Sequence, residues 1–167
     1  MRNPRVLLLA ACVTAAIVTP AAANPKTDKD VLARGRYVVA TSGCNDCHTV
    51  GYPESGGKIR EAEWLTGSTV GFSGPWGTTY PANLRLTAQS MPEAAWIARA
   101  RSEMRPPMPW FSLRDMSDAD LRAVYLYIRS LGATGNPAPA YVPPGQKVAT
   151  PYIEFVPKNL PIKAAAK

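Results

Sequence analysis

"SGCNDCHTV", Ser42–Val50, decides how the rest of this chain is read. Cys44 and Cys47 stand two residues apart, and His48 follows at once. The 167 residues contain three cysteines and one histidine. The remaining cysteine, Cys12, lies in an N-terminal stretch with the composition of a leader. Every thiol of the body of the protein, and its sole imidazole, therefore falls within five residues, "CNDCH".

Three chemistries use thiols at this spacing. A Cys44–Cys47 disulfide would make a thioredoxin-like redox motif, but that motif belongs to a βαβ setting, and no alternating strand runs surround it. Zinc wants four ligands; three are present, and no second Cys/His cluster completes the set. C-x-x-C-H is the signature of covalent c-type haem attachment. Each S–H adds across a vinyl C=C of the haem to give a thioether, and His48 then lies beneath the ring as a ligand to iron. Two intervening residues let both sulfurs reach neighbouring pyrrole edges from one helical turn. The motif thus implies one covalent haem c, held by Cys44 and Cys47, with His48 on the metal.

The composition sets the frame. Hydrophobic residues make up 46% of the chain, so it is globular rather than disordered. Residues 1–23 read as a signal peptide: Arg2 and Arg5, then the apolar "VLLLAACVTAAIV", then Ala21–Ala23 as a small-residue cleavage site. The apolar run is too short for a membrane span. The expected mature chain starts at Asn24 and is periplasmic. "LAAC", Leu9–Cys12, resembles a lipoprotein box, which would put a lipid anchor on Cys12, but the apolar run continues beyond it. Loss of the leader removes two arginines and no acid, taking the formal charge from +7 to +5. Mild basicity favours acidic partner surfaces. No dense basic stripe interleaved with aromatics is present, so nucleic-acid binding is not indicated.

Local patterns place helices at both ends of the body. Val31, Leu32, Gly35, Val38 and Val39 recur at helical spacing, predicting a helix from Asp28 or Lys29 to Ala40 or Thr41. Gly35 in its middle costs up to ~1 kcal/mol relative to Ala, which close contact with another helix would justify. Ser117 and Asp120 form an S-x-x-D capping pattern ahead of the apolar stripe Leu121, Val124, Tyr125, Ile128 and Leu131, and Gly132 ends that helix. A further helix is expected from Pro92 to about Met104. Residues 49–90, rich in glycine but studded with aromatics, read as mostly irregular, ordered loop. After Gly132 come seven prolines, predicting an extended tail over 133–167 that is neither helix nor central strand. Tyr141, Tyr152, Ile153 and Phe155 suggest that its middle lies along the protein surface, and "IKAAAK" reads as a frayed end.

"GCNDCHT", the upstream "GRYV", and the later "PPMPW" and "MSDADLRAVYLYIRSL" together resemble a class I monohaem cytochrome c. The chain most resembles bacterial periplasmic cytochromes associated with dehydrogenases, over Val31 to Leu131. The resemblance implies a mainly α, cytochrome c-like fold with three or four helices around one covalent haem and long ordered loops. The domain would span residues 24–132, with the Pro-rich extension following. It also implies that the first and last helices cross at a small residue, with Gly35 and Tyr37 against Tyr125 and Ile128.

The second axial ligand must be sought elsewhere, because His48 is the only histidine. A Met/His pair is the common alternative, and it raises the potential. Met91 adjoins a helix start, Met104 shares a helix face with Trp96, Ile97 and Ala100, and Met116 forms a hydrophobic staple with Leu121. Met108 lies between Pro107 and Pro109, in a segment that cannot be helical and is stiffened by its prolines. The resemblance points the same way, to the Met of an "MP" pair shortly before the last helix. It further implies a proline-containing loop whose carbonyl accepts from the His48 ring; Pro75 and Pro81 are both candidates. Trp76, Tyr80, Asn83 and Arg85 are candidate haem-edge or propionate contacts.

The function these residues imply is one-electron transfer, with no catalytic base or nucleophile of its own. The partner would be a redox protein, such as a periplasmic dehydrogenase or a terminal oxidase. One narrower alternative is the dedicated cytochrome subunit of such a dehydrogenase. Another, of a different class, is a haem enzyme or sensor with an open iron site.

Overall fold

The computed structural model describes residues 28–159. The leader, Cys12 and the "IKAAAK" end lie outside the described residues. Helix α1 covers Asp28–Thr41, α2 Cys44–His48, α3 Leu84–Ser90, α4 Glu93–Arg101, α5 Trp110–Asp115 and α6 Asp118–Ser130. Strands β1, Gly71–Gly74, and β2, Gly77–Thr79, form a hairpin, and β3, Tyr152–Glu154, comes from the C-terminal extension.

Helices α1 and α6 pack face to face and carry most of the core. Val38 and Val39 of α1 meet a continuous buried face of α6 that includes Leu121, Val124, Tyr125 and Ile128. Gly35 makes this approach possible. A Cβ there would lie 2.1 Å from the Ala123 carbonyl oxygen and 2.7 Å from Tyr127 Cβ. The crossing is thus Gly35 on Ala123 and Tyr127. Tyr37, expected at this contact, is instead 57% exposed beneath the Arg34 guanidinium. Two residues along a helix from Gly35 is about 200° of rotation, so Tyr37 faces away. At the start of α6, the Ser117 hydroxyl accepts from the Asp120 amide at 3.1 Å, as its capping pattern predicts.

The helices number six among the described residues, more than the three or four expected, because three are short. One is the motif itself. In α3, the Asn83 side chain accepts from the Leu86 amide at 3.1 Å, and this cap makes a helix within a stretch read as loop. The third, α5, fills the interval between Met108 and α6. Conversely, α4 ends at Arg101 rather than running to Met104. Ser102 turns to extended backbone, and its hydroxyl donates to the Arg99 carbonyl. Met104 is therefore not on a helix face with Trp96 and Ala100.

The extension returns to the body. Its β3 pairs in parallel with β1, Phe72 opposite Ile153, giving the strand order β2-β1-β3. As the prolines require, β3 is an edge strand. Upstream of it, Val142 exchanges both backbone hydrogen bonds with Thr78 at 2.8 and 3.0 Å. Phe155 stacks edge-on to Phe72 and lies beside Trp76.

Candidate cofactor site

A cavity of about 370 Å³ opens between α2, α4, the 104–109 segment and the β hairpin. This lies within the ~300–1,000 Å³ typical of cofactor sites. Cys44, Cys47 and His48 line one side of it, and Met104, Met108 and Met116 are also on its walls. The rest is largely apolar, including Phe72, Leu84, Trp96, Val124 and Ile128.

The α2 side is built by a chain of backbone anchors. Gly43, with φ 73°, turns the chain out of α1 and into the motif. Thr49 accepts the Leu65 amide at 2.8 Å and donates to the Asn45 side chain at 2.7 Å, all three residues being buried. The Gly67 amide donates to the His48 carbonyl at 2.8 Å. A Cβ on Gly67 would lie 2.7 Å from the Asn83 nitrogen and 2.8 Å from the Pro81 carbonyl, so glycine lets the 81–83 segment close on the motif. That closure sets Ala82, whose carbonyl accepts from His48 Nδ1 at 2.7 Å. Of the two proline loops considered, the one at Pro81 supplies this contact.

This hydrogen bond fixes the tautomer. A carbonyl only accepts, so the proton is on Nδ1 and the lone pair on Nε2. Burial lowers the His48 pKa, with the Ala82 bond opposing it, which favours the neutral ring. Burial also pushes the Cys44 thiol up to about 11 and raises Cys47, with Asp46 adding to both. Both cysteines are free. Among the described residues no three His, Cys, Asp or Glu side chains converge as a metal site, so these groups do not form a zinc centre by themselves.

Tyr80 lines the cavity, and its hydroxyl pairs with Thr150 at 2.7 Å. Trp76, Asn83 and Arg85 do not line it. Trp76 sits against Phe155 in the sheet. The Asn83 amide donates to the Thr134 and Asn136 carbonyls while its oxygen caps α3, so it pins the loop that supports His48. Arg85, 6% exposed, donates to the carbonyls of Ala62, Leu131 and Gly132, closing the C-terminal end of α6. Two cations that do line the cavity, Arg99 and Arg105, were not singled out from the sequence. The signal was available: Arg105 is three residues from Met108. No acid lines the cavity, and neither arginine has an acidic partner among the described residues.

A haem suits this donor set. Two adjacent thiols and an imidazole with a free Nε2 face an apolar chamber, and unpaired guanidinium groups can meet carboxylates. The buried Trp96 indole N–H on the wall also has no acceptor among the described residues, so a guest can supply one.

A helical cage with this chamber and motif defines a haem-carrying electron-transport domain. The family model described as Cytochrome c matches residues 32–132, and the chain belongs to that family. It is thus a c-type cytochrome whose cofactor is covalent haem c. A nicotinate dehydrogenase subunit from Pseudomonas putida is 33% identical over 121 residues, covering 66% of this chain. The match takes in 9% of that relative's own length, so the chain corresponds to a small part of it. No solved structure matches. Among the described residues, no helix is long and apolar enough to cross a membrane.

Proposed function

We propose that this chain is a periplasmic one-electron carrier. In this reading Cys44 and Cys47 form the two thioether bonds, and His48 and Met108 are the axial ligands. The observation that carries it is the shared cavity: His48, with its Nε2 left free by the Ala82 bond, and Met108 line the same chamber. When bound, the haem supplies iron that alternates between ferrous and ferric. The protein's residues do the rest. The Ala82 carbonyl orients the His48 ring and raises its basicity. Apolar walls keep water from the iron and favour the state of lower charge. Arg99, on the chamber wall with no acidic partner among the described residues, is the residue this reading assigns to a propionate carboxylate.

Lining the cavity does not by itself select Met108, because Met104 and Met116 line it too. Met116 packs on the core and its amide closes α5 on Leu113. Met108 sits in a segment held from outside the helices: Thr79 Oγ1 donates to the Pro106 carbonyl at 2.7 Å. The optical spectrum of the oxidised protein tests the assignment. A weak red-region iron–thioether band is expected, lost in Met108→Ala and kept in Met104→Ala and Met116→Ala. High-spin ferric haem in the unsubstituted protein would instead indicate an open iron site.

The match to part of a nicotinate dehydrogenase favours a narrower form of this reading, in which a periplasmic dehydrogenase delivers the electrons. Co-purification with a dehydrogenase from the native host supports it. A free monomer that reduces unrelated acceptors equally well, including a terminal oxidase, opposes it.

A further inference from the structure

The C-terminal extension lies beyond the stretch matched to the family, residues 32–132. It nevertheless supplies part of the cavity wall, through Pro139 and Tyr141. Tyr141 is fixed from two directions. Its hydroxyl donates to the Trp76 carbonyl at 2.7 Å, and the adjoining Val142 is bonded through both backbone groups to Thr78. The fit to β2 is close: a Cβ on Gly77 would lie 2.4 Å from the Val142 carbonyl and 2.9 Å from the Tyr141 hydroxyl.

Over the Tyr141 ring sits the Arg105 guanidinium, 4.1 Å from the ring centroid. This is the shortest cation–ring contact among the described residues. Arg105 opens the segment that carries Met108. That segment contains Pro106, Pro107 and Pro109, which have no amide to donate, so the backbone offers few means of anchoring it. Among the described residues, its side-chain attachments to other elements are the Thr79 bond to Pro106 and the Arg105 contact with Tyr141. Both end on the same unit, β2 and the piece of extension bonded to it.

We infer that Tyr141, on the C-terminal extension, is the positioning residue that holds the Met108 segment over the iron, acting through Arg105. The extension is then a strap that sets how firmly the axial thioether is held. This rests on Met108 being the ligand, as proposed above. A strap of this kind affects the competition between the internal sulfur and an outside ligand. Loosening the segment weakens the thioether in that competition without altering the haem or His48.

The test is imidazole binding to the ferric holoprotein, followed by loss of the red-region band. Tyr141→Leu keeps an apolar wall but removes the ring and hydroxyl; because Arg105 is exposed, imidazole affinity is expected to rise about two- to fivefold, the scale of one solvent-exposed cation–π contact. Tyr141→Phe keeps the ring and is expected to stay closer to the unsubstituted protein. Arg105→Gln breaks the same contact from the other side and covers the case in which Tyr141→Leu fails to fold. Combined with Tyr141→Leu, it should add little to either single change. Wild-type imidazole affinity in Tyr141→Leu or Arg105→Gln, with the holoprotein folded, overturns the inference. So does full additivity of the two. Absence of the band from the unsubstituted protein, or its persistence in Met108→Ala, refutes the Met108 assignment itself, and the strap's role falls with it; loss of the band in Met108→Ala, with Met104→Ala and Met116→Ala keeping it, keeps the two failures apart.

Discussion

Replacing Gly35 by alanine sets two effects of opposite sign against each other. Alanine is the better helix former by about 1 kcal/mol in a helix interior, and Gly35 lies mid-helix in α1. Propensity alone therefore forecasts a more stable protein. The packing forecasts the reverse. The new methyl would lie 2.1 Å from the Ala123 carbonyl oxygen and 2.6 Å from its carbonyl carbon, against ordinary contact from 3.4 Å. These are backbone atoms inside α6, so no side-chain rotation relieves the clash. The helices must separate by roughly 1 Å, loosening the packing of Val38 and Val39 as they do so. Overpacking of this kind costs typically 1–3 kcal/mol, and a rigid backbone neighbour puts it at about 3. The net loss is about 2 kcal/mol, or a fall in Tm of roughly 5–10 °C for a domain of this size. Guanidinium unfolding of the holoprotein, followed by circular dichroism, measures it. An unchanged or raised midpoint in Gly35→Ala would refute the claim that the α1–α6 contact demands glycine.

Two further expectations follow from charged side chains with several partners. Arg85→Met removes a guanidinium that donates to three carbonyls and leaves those oxygens without their partner, for an expected loss of about 3 kcal/mol. Little stability change with a shifted reduction potential would instead point to a direct role at the haem. At Glu61, burial pushes the carboxyl up, but hydrogen bonds from Arg36 and Tyr127, both 2.8 Å, outweigh it and hold the pKa below its ordinary 4.5. The unfolded chain then binds this proton more readily than the folded one. The stability it contributes is whole above about pH 4.5 and drains away as pH falls through the lower, folded value. Between about pH 7 and pH 3.5, Glu61→Gln should therefore lose less stability than the unsubstituted protein; equal losses in urea midpoint would contradict this.

What could be read from the sequence was what local chemistry controls. The thiol–imidazole motif is complete within five residues, and α6 announces itself by Ser117 and its stripe. Gly35 was conspicuous as a poor helix residue whose justification had to be a neighbour. The sheet was not legible, because β1 is "GFSG", β3 is "YIE", and their pairing joins residues some eighty positions apart. Arg85 and Asn83 looked like cofactor contacts because polar residues in a loop near a cofactor motif suggest them. Apart from the Ala62 carbonyl, which Arg85 also reaches, the carbonyls they donate to lie at the far end of α6 and beyond it, 46 to 53 residues away. Met104 was misplaced by a helix extrapolated three residues too far, past the turn at Ser102.

The junction of Val142 with Thr78 also bears on the order in which the protein is assembled. A polypeptide is made from its N-terminus, and its domains can begin to form as it emerges. Cys44, Cys47 and His48 are therefore available nearly a hundred residues before Tyr141 exists. Contacts spanning more than sixty residues also carry the larger loop-closure cost, so this wall is among the last to form. The chamber stays open on that side while the thiols are still to react. The order of Cys44, Cys47 and His48 before Tyr141 therefore suits attachment of a bulky, rigid macrocycle before that wall is made.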